Sequence, residues 1–253
     1  MRTHIFATFV GLALVGSVAS AEITDLNGDL SIEAEVDALN LGTQFNDQSM
    51  ASLQIDPDQD LGFQLDFNAV RSTGFFAGGT GGMVESSTSV MSNTSMYSFH
   101  HEMAGLASVG SNGADWANSE HGLRLNSYVE FEEGDQVLIS MRIDYEAVQD
   151  GQLSAQFRLS GVSGSGPIEL DVQDPTEAGF VEYSILTTVD SPRAFFLNAD
   201  LDSRIEAFGD RPFAALDGFS MSASFVLVPA PGSALLFGGL GLFAGRRRRS
   251  STL

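Results

Sequence analysis

The feature that most limits this fold is a two-residue rhythm. From Val137 to Tyr145 every second residue is large and apolar (Val137, Ile139, Met141, Ile143, Tyr145), while Ser140, Arg142 and Asp144 fill gaps between them. A strand turns successive side chains to opposite faces, so this pattern predicts a strand with one face in a core and one in water. The same rhythm sets Ile32, Ala34 and Val36 against Glu33, Glu35 and Asp37, and Phe63, Leu65 and Phe67 against Gln64, Asp66 and Asn68. Leu53 and Ile55 alternate too. Leu153, Ala155, Phe157 and Leu159 follow Gln149-Asp150-Gly151, which reads as a hairpin turn. Further strands are expected over 168–172, 180–188, 194–201 and 219–227. One short helix is expected over Thr94 to Leu106. Many short strands with glycine turns between them predict an all-β fold, an antiparallel β-sandwich of jelly-roll-like form.

Both ends of the chain depart from this rhythm. Arg2 and His4 precede an apolar run from Ile5 to Val18, and Ala19-Ser20-Ala21 then offers small residues at a cleavage site, with Ala19 and Ala21 at its two small positions. Residues 1–21 are therefore expected to be a signal peptide. At the other end Pro229-Ala230-Pro231 leads into an apolar run from Gly232 to Gly245, followed by Arg246, Arg247, Arg248 and Arg249. Proline suits the first turn of a helix, so one starting at Pro231 is well posed. Taken to Gly245 it reaches about 22 Å, short of a bilayer core of about 30 Å, and the arginines are expected to stay on the cytoplasmic side. The expected organisation is a signal peptide over 1–21, a single β-sandwich domain over 22–228, and a sorting tail with a transmembrane helix over 229–253. A Gly/Ser-rich stretch over about 74–118, with Phe75-Phe76 near its head, reads as a long loop or insertion on that sandwich.

The order of proline pair, apolar helix and arginine cluster, from Val228 to Arg249, resembles the PEP-CTERM sorting signal. The match departs at Ala230, which stands where the middle glutamate of the family's Pro-Glu-Pro would be. The resemblance implies recognition by exosortase, a membrane-embedded transpeptidase-like enzyme. It implies transient anchoring in the inner membrane, then transfer to the cell surface or extracellular matrix in association with exopolysaccharide. Pro229, Ala230, Pro231 and the four arginines would carry that sorting.

Charge narrows the partners. All 12 basic residues are arginine; five lie in the two ends, so seven face 33 carboxylates in the body. A body so acidic repels nucleic acid and anionic lipid and attracts cations, calcium among them. Cysteine is absent, which rules out disulfides, a thiol nucleophile and thiolate metal sites.

Few residues point to chemistry. Asp56, Asp58 and Asp60 alternate around Pro57 and Gln59; they read as a solvated acidic turn or as a partial calcium loop, since Leu61 rather than glycine follows the third acid. His100 and His101 are adjacent, so on a strand they point apart; with His121 they read as a partly exposed polar cluster rather than a zinc site. Gly78 to Gly82 lacks the lysine of a phosphate loop, and no Gly-x-Ser-x-Gly elbow is present. Trp116, between Asp115 and Asn118, is the first candidate for stacking on a sugar ring, with Tyr97 and Tyr128 behind it; packing within the fold is the alternative for each. The expected function is a non-enzymatic, exopolysaccharide-associated surface or matrix protein. The alternatives are a lectin-like carbohydrate-binding module and a polysaccharide-acting hydrolase.

Overall fold

The structure, a computed structural model, describes residues 22–55, 64–76, 79–110, 115–148, 150–190 and 193–228. The regular elements there are strands: β1 (Ile23–Asn40), β2 (Thr43–Ile55), β3 (Gln64–Phe75), β4 (Gly81–Asn93), β5 (Met96–Ser108), β6 (Trp116–Phe131), β7 (Gln136–Tyr145), β8 (Gly151–Ser160), β9 (Ile168–Gln173), β10 (Gly179–Thr188), β11 (Arg193–Phe208) and β12 (Phe213–Val228). They form two antiparallel sheets of six. The first runs β2-β1-β6-β11-β8-β9 and the second β10-β7-β12-β5-β4-β3. One face of each packs on the other, as a sandwich.

Local chemistry explains several connections. The β1–β2 hairpin turns through Leu41 and Gly42, with φ of 48° and 79°; a tight two-residue hairpin needs both central residues there. Asn93 caps the β4–β5 turn by accepting from the Ser95 amide at 2.9 Å. In β12 a bulge between Leu216 and Phe219 is accommodated by Gly218 at φ 78°.

Three expectations are corrected. The stretch proposed as a helix over Thr94 to Leu106 is mostly β5, paired on both sides. The insertion expected over 74–118 is largely strand as well. In β4 the inward row is Val84, Ser86, Thr88, Val90 and Ser92, and the outward row is Met83, Glu85, Ser87, Ser89 and Met91. Serine stands on both faces, which hides the alternation without abolishing it. Finally, the Asp150-Gly151 turn is no hairpin. Asp150 does take φ 54°, but β7 lies in the second sheet and β8 in the first, so the turn carries the chain across the sandwich.

The core changes character along the strands. At one end Phe131 and Phe195 of the first sheet meet Phe225 and Tyr97 of the second, with ring centroids 5.7–6.3 Å apart. These rings are buried and hold the sheets apart. At the other end Ala38, Ala117 and Ala207 stand in register across the first sheet, and Gly82, Ala107 and Ala214 across the second. Contact is tight there. A Cβ on Gly82 would lie 2.2 Å from Ser119 Oγ and 2.8 Å from the Leu106 carbonyl; one on Gly105 would lie 2.4 Å from Ile205 Cδ1. The sandwich therefore tapers from an aromatic end to a small-residue end.

Candidate functional site

The outer face of the first sheet is almost wholly polar. Register sets its side chains in rows across the strands. One row joins Gln48, Glu35, Glu120, Arg204 and Gln152; the next joins Met50, Glu33, Gly122, Asp202, Ser154 and Gln173. Gly122 has no side chain, and it sits between two carboxylates. An open hollow of about 570 Å³ forms over it, rimmed by Glu33, Glu35, Glu120, Asp202, Arg204 and Gln152. A Cβ at Gly122 would meet Asp202 Oδ1 only at 3.7 Å, so nothing in the protein requires glycine there.

Part of this rim is braced. Arg204 Nε lies 2.6 Å from Glu206 and 3.4 Å from Glu120. Asn118 Nδ2 donates to Glu120 at 2.6 Å, while Gln48 donates to Glu33 and Asn46 to Glu35. Asp202, Gln152 and Ser154 make no side-chain hydrogen bond among the described residues. They are fixed by the strands beneath yet keep their donors and acceptors for a ligand. Carboxylates outnumber cations on the rim, which disfavours anions. Amides and carboxylates on a rigid sheet suit a neutral partner rich in hydroxyls. Among the described residues no three histidine, aspartate or glutamate side chains converge to hold a metal ion.

Aromatic rings stand on the same face, outside the hollow and farther along the strands in both directions. Tyr128 and Phe196 face each other in register, edge to face, with centroids 5.2 Å apart. Phe196 is half exposed. The Tyr128 hydroxyl donates to Glu130, a bond that, with some burial, pushes its pKa up to about 12. Six residues separate this pair from Gly122, about 20 Å along the strands. In the other direction Trp116 opposes Leu39 and Phe208, again about 20 Å from Gly122. Trp116 is half-buried at the start of β6 and stands outside the hollow.

The remaining candidates fall elsewhere. Tyr97 is fully buried, with its hydroxyl on Ser127, so it is a core residue and no ligand contact. His100 is exposed and pairs with Glu102 at 3.0 Å. His101 points the other way, and here the expected exposed cluster is corrected. His101 and His121 are both buried, one from each sheet, with parallel rings and Nε2 atoms 3.1 Å apart. Thr88 Oγ1 lies 2.7 Å from His101 Nδ1. Thr88, His101 and His121 thus form one hydrogen-bonded chain that crosses from the second sheet to the first. His121 Nδ1 is buried near the Glu33 backbone, at a geometry short of a hydrogen bond. Burial holds both imidazoles neutral, pushing His101 well below the ordinary range and His121 down to about 4. Asp56, Asp58 and Asp60 lie outside the described residues, as do Ala19, Ala21, Pro229, Ala230, Pro231 and Arg246 to Arg249.

The residues of the hollow were invisible as a set, because Glu33, Gly122 and Asp202 come from three separate stretches. Glu33 alone belonged to a recognised strand pattern, and no local motif links the three.

No protein-family model and no curated protein matches this chain. Among solved structures, TmCBM61 in complex with β-1,4-galactotriose is similar at 10% identity and a TM-score of 0.26, over 50% of this chain and 82% of that one. The infectious bursal disease virus VP2 subviral particle is similar at 10% identity and a TM-score of 0.22, over 90% of this chain and 75% of that one. Likenesses this slight carry no argument about function. What is established is the architecture: an all-β sandwich of two antiparallel sheets.

Proposed function

We propose that this protein is a non-catalytic, polysaccharide-binding β-sandwich that works at the cell surface or in the extracellular matrix. The observation that carries the reading is the hollow over Gly122, open, polar and built on five rigid strands. A neutral glycan chain would lie along the strands. Asp202, Glu33 and Gln152 would exchange hydrogen bonds with its hydroxyls, and the Tyr128–Phe196 pair offers an exposed apolar face farther along. Openness to water favours binding over hydrolysis, since carboxylate chemistry gains from a site that excludes solvent. The excess of acids favours a neutral polymer, or an anionic one bridged by calcium or another cation.

Delivery is part of the same proposal. The apolar N-terminal run and the PEP-CTERM-like tail support export, exosortase processing and release after a transient stay in the inner membrane. Repeated exchange of strands between the sheets supports the jelly-roll-like form.

Affinity electrophoresis through gels holding neutral polysaccharides tests the binding. At least one should retard the protein, and Gly122→Leu, which raises a bulky apolar side chain from the floor of the hollow between Glu33 and Asp202, should restore free migration without changing the thermal midpoint. Equal retardation of the variant, or none with any polymer, would contradict the proposal. New reducing ends after incubation would contradict its non-catalytic part.

A further inference from the structure

Every open sheet must manage its edge strands, whose unpaired backbone groups invite another strand. Three of the four edges here are blunted. β2 and β3 lie against each other where the two sheets meet, and Asp47 Oδ2 accepts from the Thr73 amide at 3.0 Å. β9 has only six residues and shows Glu169 and Asp171 to solvent. β10 differs. It has ten residues, Gly-Phe-Val-Glu-Tyr-Ser-Ile-Leu-Thr-Thr, rich in strand formers, without proline and with one charge. Phe180 is 52% exposed and Leu186 56%. On the inner side Val181, Tyr183 and Ile185 pack on the core but stay half-buried; β9 of the first sheet comes near, yet no strand pairs with the outer edge of β10 among the described residues.

We propose that β10 is the edge through which two copies of this chain pair, antiparallel across a two-fold axis at Tyr183. A two-fold axis makes the contact isologous, so the strand must complement itself. Facing residues must also share a face of the sheet, which leaves few registers. Centred on Tyr183, Phe180 faces Leu186 outside and Val181 faces Ile185 inside. Glu182 then faces Ser184 and keeps its own cation, Arg142, at 2.9 Å. Arg142 also lies 4.2 Å over the Phe180 ring, fixing that ring in place. Centred on Ser184, Glu182 would face Leu186, and Phe180 would face Thr188. Centred on Glu182, two carboxylates would meet. Only the Tyr183 register matches apolar with apolar on both faces and leaves no like charges opposed. It also continues the apolar row of Leu186, Leu138 and Val226 into the second copy. The acidic body opposes the contact at long range, so pairing should strengthen as salt rises.

Sedimentation equilibrium on the protein as recovered from its host tests this, with Ser184→Glu and Ser184→Lys, both at an exposed position. The expected result is a reversible dimer, weakened roughly fivefold by Ser184→Glu and tightened by a similar factor by Ser184→Lys, because each change acts twice against Glu182. Thermal midpoints near that of the parent protein would show that both variants keep the fold. A protein that stays monomeric at every concentration overturns the proposal. So does any dimer that Ser184→Glu leaves intact or Ser184→Lys fails to tighten.

Discussion

The two ends of the core solve the same problem in opposite ways. At the aromatic end Phe131, Phe195, Phe225 and Tyr97 fill a wide gap between the sheets. At the far end alanines and glycines let the backbones come close, and Gly82 leaves no room for even a methyl group. Between them the buried pair of His101 and His121 crosses from sheet to sheet. The difference teaches that a wide gap is held by volume and a narrow one by its lack. The two ends should therefore fail differently.

Removing volume should cost most. Phe225→Ala opens a cavity where four rings meet, and chemical denaturation should show a loss of about 3–5 kcal/mol. The midpoint of the core should respond to acid instead. Above about pH 7 both histidines are neutral whether folded or not. Below about 6.5 the unfolded chain takes up protons that the buried pair refuses, until the pH nears 4 for His121. Stability should thus fall from pH 6.5 downward, by about 1–3 kcal/mol per pH unit at the steepest. Carboxylates titrate mainly below that window, so the double variant His101→Leu, His121→Leu should flatten the decline between pH 6.5 and 5. A decline that persists in the double variant would place its cause elsewhere.

At the narrow end the sign of a volume change reverses. Gly82→Ala adds a single methyl group and should still cost about 1–3 kcal/mol, because the Leu106 carbonyl cannot move aside cheaply. A neutral result in thermal melting would mean that the sheets are not held tightly there. The smallest effect belongs outside the core. Leu41 is 76% exposed with φ of 48°, a conformation that asparagine tolerates better. Leu41→Asn should raise stability by up to about 1 kcal/mol, with both ends of the core unchanged.

The same contrast decides what could be read without coordinates. Strands that serve the aromatic end carry large apolar residues at alternate positions, so β7, β8 and β12 stand out. β4 puts Ser86, Thr88 and Ser92 inward and Ser87 and Ser89 outward, and a pattern that reads polarity finds no period in it. The binding face was less legible still. Glu33, Gly122 and Asp202 become neighbours only through strand register, and residues so far apart in the chain carry no mutual signal. Trp116 drew notice because exposed aromatic rings suit sugars, yet it is half-buried, and its row, like that of Tyr128 in the other direction, lies about 20 Å from Gly122 along the strands. Tyr128 was a lesser candidate, and its companion Phe196 had no reason to be singled out before β6 and β11 were known to be partners.

The most direct test is a titration of the isotope-labelled protein with a soluble neutral oligosaccharide from a polymer that retards it, followed by backbone amide shifts. Saturable shifts concentrated on Glu33, Gly122, Asp202 and their neighbours on the outer face of the first sheet are the predicted result. Shifts confined to the second sheet, or none at saturating ligand, would contradict a glycan site over Gly122.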